Sequence, residues 1–308
     1  MDNILYIIYP ITGLLMIALG IGLGIFLTRR FNLGWRLWWI GGVTFILSQV
    51  GHIPFNLGIT ALFQNGYLPA PPKSAQLYVN AIFLGVSSGI WEEFARYFMY
   101  RWWAKDARSW KKALLAGAGH GGSEAIILGA LVLLAFFQML AYRSVDISTM
   151  VPAEQLASAQ ANIQAYWTVP WYQVLLGVIE RVFVLCLHLA NSVIVLQVFT
   201  RRQFRWVWLA VAWHAIFNAV AVVANSTLGP YITEGLIGIG ALISVLIIFT
   251  LRNEENLDII ESSPEPIKPS ELHQVDEKAK SQQKSESSIH PSEEDLQKEI
   301  DDSRYLDL

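Results

Sequence analysis

Seven apolar stretches, each close to the length a helix needs to cross a hydrocarbon layer, constrain this chain more than any other feature. They run over about 4–28, 36–63, 77–101, 113–142, 171–200, 206–226 and 232–251. A transmembrane helix needs about 20 apolar residues, and only helices and closed barrels satisfy their backbone polar groups in lipid. The expected fold is therefore all-α: a polytopic membrane bundle of about seven transmembrane helices. Mean hydropathy is +0.39 and only 15% of residues are charged, which argues against a soluble globular domain. The first stretch is followed rather than preceded by basic residues, so it reads as a retained helix and not a cleavable signal.

Charge divides the chain in two. Residues 1–252 carry 16 Lys and Arg against 9 Asp and Glu, whereas residues 253–308 carry 6 against 16. The second part is rich in Glu, Ser, Lys, Gln and Pro and is expected to be a disordered acidic tail, a place where a cytoplasmic partner can dock. The first part is expected to be the functional transmembrane domain. Within it, Arg29, Arg30, Arg36, Arg101, Lys105, Arg108, Lys111, Lys112, Arg201, Arg202, Arg205 and Arg252 fall in alternate loops, with only Lys73 and Arg143 in the others. The bias predicts a multi-pass cell-membrane protein with its amino terminus outside and its tail in the cytoplasm. These basic residues read as topology signals, and no nucleic-acid partner is expected. In the outer loop, Leu156, Ala159, Ile163 and Trp167 lie at helical spacing behind Pro152 and predict a short surface helix. Cys186 is the single cysteine, which excludes a disulfide framework.

Charged side chains within spans are costly, roughly 2.5–3.5 kcal/mol each at a helix centre, so their presence demands a reason. Four spans carry them. WEEFARY holds Glu92, Glu93 and Arg96, with Glu92 and Arg96 one turn apart and poised to pair. One glutamate would then stay charged while the other serves as general base for a water, against the alternative of a packing ion pair. GAGHGGSEA places His120 and Glu124 on one face, where a carboxylate can orient an imidazole for metal or proton chemistry, among glycines that suit close helix packing. The next span aligns Arg181, His188 and Asn191, and the sixth aligns His214 and Asn218. Most of these groups lie about 7–13 residues from the basic ends of their helices, so one polar cavity in the cytoplasmic half is expected. His52 and Glu180 fit that level less well.

EEFARY, GHGGSEA, the run ERVFVLCLH from Glu180 to His188, and HAIFN, in this order, resemble the motifs of the YhfC family of intramembrane metalloproteases, itself similar to PrsW-type and CAAX prenyl proteases. The resemblance covers about residues 1–251. CAAX proteases usually carry EExxxR; the shorter EExxR here favours the YhfC and PrsW side and argues against a prenylated substrate. The resemblance implies hydrolysis of a peptide bond in a membrane protein or peptide substrate. Glu92 or Glu93 would activate water, and His188 and His214, with His120, would hold Zn²⁺ or orient the water directly. Asn218 would help hold the oxyanion, with Arg96, Glu124 and Arg181 in support. No HExxH is present, so a zinc site would be assembled from separate helices. An ion, proton or metal transporter and a non-catalytic scaffold are the other readings of the same residues.

Overall fold

A computed structural model describes residues 4–252; the acidic segment expected to be disordered lies outside the described residues. The described chain is helical throughout, with no strand. The long helices are α1 (Leu5–Phe31), α2 (Arg36–Gln64), α3 (Gln76–Phe98), α4 (Trp110–Ala141), α7 (Leu176–Thr200), α8 (Arg205–Thr227) and α9 (Pro230–Thr250). The shorter α5 (Ala153–Thr168) and α6 (Trp171–Val174) connect α4 to α7.

Six of the seven expected spans are long and apolar enough to cross a membrane among the described residues. The exception is α3, whose 23 residues match the bilayer but include Glu92, Glu93 and Arg96. Those three charges are buried, because α3 lies between α2 and α8 and turns this face inward. Polar groups thus line the interior, while Ile7, Phe26, Leu242, Leu246 and Phe249 are exposed on the outer faces of α1 and α9. This distribution suits a lipid surround.

At the hub is α4, which packs on α1, α2 and α7. Its glycines permit the contact. A β-carbon on Gly119 would lie 1.9 Å from the Trp38 carbonyl oxygen of α2, and one on Gly41 would lie 2.1 Å from that of Ala116, so α2 and α4 cross backbone to backbone. The packing role read for these glycines is the one they play. At the ends bearing the basic loops, Trp38, Tyr100, Trp110, Leu115, Val193 and Leu196 form an apolar plug. A π-helical turn, Met99–Trp103, extends α3 into it and brings the Tyr100 hydroxyl to 2.7 Å from Ser192 Oγ. Outside the spans, Arg36 donates to both oxygens of Asp106 at 2.9–3.0 Å and lowers its carboxyl from the usual range.

The outer-loop helix expected from sequence is α5. Rather than lying free on the surface, it seats Trp167 against Tyr6, Tyr9 and Phe136, and the Tyr9 hydroxyl donates to the Tyr166 carbonyl at 2.9 Å.

Candidate active site

Buried groups from α3, α4, α7 and α8 converge around the two glutamates of α3. Glu93 is the more tightly held. Its Oε1 accepts from Asn191 Nδ2 at 2.9 Å and from His214 Nδ1 at 2.8 Å, and its Oε2 is paired with Arg96. Both oxygens are taken, by groups arriving from α3, α7 and α8. The sequence spacing favoured pairing Arg96 with Glu92; the guanidinium goes instead to Glu93, three residues back. Helical spacing permits either partner. Asn191 and His214 both hydrogen-bond Glu93, and that tertiary arrangement goes with the choice of Glu93.

Glu92 is left facing the interior. Its Oε2 lies 3.1 Å from His120 Nε2 and 3.9 Å from His214 Nε2, and its Oε1 accepts from Gln49 Nε2 at 3.3 Å. His214 therefore spans the two glutamates. Because the carboxylate of Glu93 can only accept, His214 Nδ1 carries a proton, and Nε2 faces Glu92.

His188 is clamped at both nitrogens. Arginine has no lone pair to offer, so His188 Nδ1 accepts from Arg96 Nη2 at 3.2 Å and its Nε2–H donates to Glu124 Oε2 at 2.6 Å. Glu124 is held in turn by Arg181 at 2.6 Å, and Arg181 also pairs with Glu180. The carboxylate expected to orient His120 from one turn away thus serves His188 on α7, while His120 turns to Glu92. The His188 ring fits because residue 121 is glycine: a β-carbon there would come within 2.8 Å of His188 Cδ2.

A cavity of about 80 Å³ adjoins the cluster, walled by Glu92, Glu124, His188, His214 and Asn218 among others. It runs past Glu180, Ala221 and Ile237, toward the ends of α7, α8 and α9 remote from the basic loops. Asn218 stands on its wall, with Nδ2 donating to Ser88 Oγ at 2.8 Å.

Glu92, His120 and His188, all buried, each bring a donor atom within 4.8 Å of the others, and such a group can hold a metal ion. The chemistry of the set fits zinc. One carboxylate and two imidazoles match a three-ligand catalytic site, in which ligand atoms at about 2.0–2.1 Å from the metal stand roughly 3.3 Å apart. To join, His188 would exchange Arg96 or Glu124 for the ion. Of the other expected ligands, His214 approaches Glu92 but is not part of this trio.

Two contributors were not anticipated: Gln49 on α2 and Ser88 on α3. His52, expected to lie apart, is connected through Gln49: its Nδ1 is 3.2 Å from Gln49 Oε1, and Asn56 Nδ2 donates to its Nε2 at 2.9 Å. The signal was present in the sequence, since residues 49, 52 and 56 recur at helical spacing on one face.

These features define a polytopic helical membrane protein with a buried carboxylate–imidazole cluster assembled from four helices. Comparison with known proteins makes this specific: the YhfC intramembrane metalloprotease family profile matches residues 15–239, and the chain belongs to that family. Every residue of the cluster lies inside the match. The chain is also 27% identical over 215 residues to the Bacillus subtilis (strain 168) protein named "Uncharacterized membrane protein YhfC", covering 69% of this chain and 82% of that one. No solved structure matches significantly.

Proposed function

We propose that this protein is an intramembrane metalloprotease that hydrolyses a peptide bond of a membrane-associated protein, with its amino terminus outside and residues 253–308 in the cytoplasm. The observation that carries the reading is the convergence of Glu92, His120, His188 and His214 from four helices on one buried point beside a cavity. Carboxylates and imidazoles gathered at one point suit hydrolysis; a transporter needs polar groups spaced along a path through the bilayer.

Glu92, His120 and His188 would hold Zn²⁺. Held there, the ion would supply Lewis acidity for activating water and polarising the substrate carbonyl. The chain's own groups handle the protons. His214 Nε2 accepts a proton from the attacking water, because its Nδ1–H is fixed on Glu93 and the tautomer is thereby set. Arg96 and Asn191 hold Glu93 in place, so the dyad is oriented before substrate arrives. The same Nε2 then returns the proton to the leaving amine. Asn218, on the cavity wall, uses an N–H on the developing oxyanion; such a donor is worth about 10²–10³ in rate. Glu124 and Arg181 orient His188.

The test is reconstitution of the full chain in liposomes with a fluorescence-quenched transmembrane peptide. The wild type should cleave it with about one zinc per chain. Glu92→Gln should lose both zinc and cleavage, whereas His214→Ala should keep most of the zinc and lose cleavage. A wild type that cleaves nothing but moves protons or metal ions across the bilayer would replace this reading with transport.

A further inference from the structure

Glu92 has two oxygens, and the proposed chemistry needs only one of them turned inward. What holds the other is a hydrogen-bonded chain along α2. Asn56 Nδ2 donates to His52 Nε2, so the His52 proton sits on Nδ1. That Nδ1–H faces Gln49 Oε1 at 3.2 Å, which fixes the Gln49 amide with its nitrogen toward Glu92. Gln49 Nε2 then donates to Glu92 Oε1 at 3.3 Å and to Ser48 Oγ at 3.2 Å. Ser87 Oγ, from α3, stands 3.2 Å from His52 Nε2 and donates to the Leu84 carbonyl. Each link has one donor and one acceptor, and all run in the same direction, toward the carboxylate. Three polar side chains on the membrane-spanning α2, outside the cluster itself, carry a cost that packing alone does not repay.

We infer that Gln49 and His52 are positioning residues: they engage Glu92 Oε1 so that Oε2 alone is presented to His120 and the metal position. This deepens the proposed function and rests on it. A side chain that steers a ligating carboxylate typically contributes 10- to 100-fold in metal affinity or activity. His52 acts only through Gln49 and touches none of the reacting groups.

The experiment is Co²⁺ titration of the metal-stripped full chain in detergent, followed by its visible absorption bands and by a competing chelator. Gln49→Leu should weaken Co²⁺ binding 10- to 100-fold and alter the bands, because Glu92 is then free to bind through both oxygens. At position 52 two conservative variants separate positioning from packing. An asparagine amide nitrogen stands where Nδ1 of histidine stands, so His52→Asn should bind Co²⁺ within about threefold of wild type. A glutamine amide reaches the Nε2 position and lacks the donor for Gln49, so His52→Gln should resemble Gln49→Leu. Unfolding temperatures of the four proteins are measured alongside, to confirm that each is folded. If wild type binds Co²⁺ and Gln49→Leu binds it equally well with unchanged bands, or if His52→Asn and His52→Gln behave alike, the inference is wrong. A wild type that binds no Co²⁺ removes the metal-site reading, and this inference with it.

Discussion

Replacing Gly119 with alanine adds one methyl group at the tightest point of the bundle. The new carbon would sit 1.9 Å from the Trp38 carbonyl oxygen, 2.6 Å from its carbon and 2.8 Å from its α-carbon. All three are backbone atoms of a helix, so no side-chain rotation relieves the overlap. Ordinary contact lies near 3.4 Å, and α2 and α4 must part by about 1.5 Å at this crossing. Overpacking of this kind costs about 1–3 kcal/mol, equivalent to a fall in unfolding temperature of roughly 2–12 °C for a domain this size. The damage reaches the site, because His120 is the next residue and lies 3.1 Å from Glu92. Co²⁺ affinity should therefore fall at least about tenfold as α4 moves off. Gly22→Ala in α1 is the control: nothing lies within 4 Å of a β-carbon there, and alanine favours helix by about 1 kcal/mol. Thermal unfolding in detergent, with metal titration on the same samples, reads both effects. A Gly119→Ala protein as stable as Gly22→Ala, with wild-type metal affinity, would refute the backbone crossing and the placement of His120 that depends on it.

Other perturbations follow from the same geometry. Arg96→Leu leaves the buried Glu93 carboxylate without its cation and should cost about 3–5 kcal/mol in unfolding measurements, while Arg96→Leu combined with Glu93→Leu should recover much of that loss. Glu93→Gln should retain metal but lower kcat about 10²- to 10⁴-fold with little change in KM, because His214 is no longer held in one tautomer; wild-type kcat would dismiss the dyad. Arg36 holds the Asp106 carboxyl below its ordinary value, so the pair stabilises the fold above the usual carboxylate pKa, near 4. That contribution disappears as pH falls through the lowered value. Both partners are exposed, so Arg36→Gln should cost under about 1 kcal/mol at pH 7, and less once Asp106 is protonated. Removal of residues 253–308 should leave Co²⁺ affinity unchanged, since every group of the cluster lies before Arg252; loss of binding in a folded truncation would contradict this.

The helical architecture was legible because lipid imposes a length and a composition on each span, and those survive without knowledge of neighbours. The site was legible as a set of residues, since charge inside a span is conspicuous: Glu92, Glu93, His120, Glu124, His188 and His214 all stand out against apolar surroundings. Pairing was not legible. Helical spacing linked Glu92 to Arg96 and His120 to Glu124, yet neither pair forms: Arg96 goes to Glu93 on its own helix, Glu92 meets His120 of α4, and Glu124 meets His188 of α7. Spacing along one helix fixes only which side chains share a face. Which of them meets a group from another helix depends on crossings such as Gly119 on Trp38 and Gly121 on His188, where the absent side chain sets the distance. Gln49 was overlooked for a related reason: an uncharged amide in a span is unremarkable until its hydrogen-bond partner is known.

If water is added across a peptide bond at Glu92 and its neighbours, the oxygen of that water must end up in the product, and isotope transfer detects it. Membranes containing the wild-type chain or Glu92→Gln would be incubated in H₂¹⁸O and their peptides sequenced by mass spectrometry. Hydrolysis puts one water oxygen into each new carboxyl group, so ¹⁸O-labelled carboxyl termini within or beside membrane segments should accumulate with wild type and be absent with Glu92→Gln. Identical sets of labelled termini from the two proteins, or none from wild type, would contradict the account.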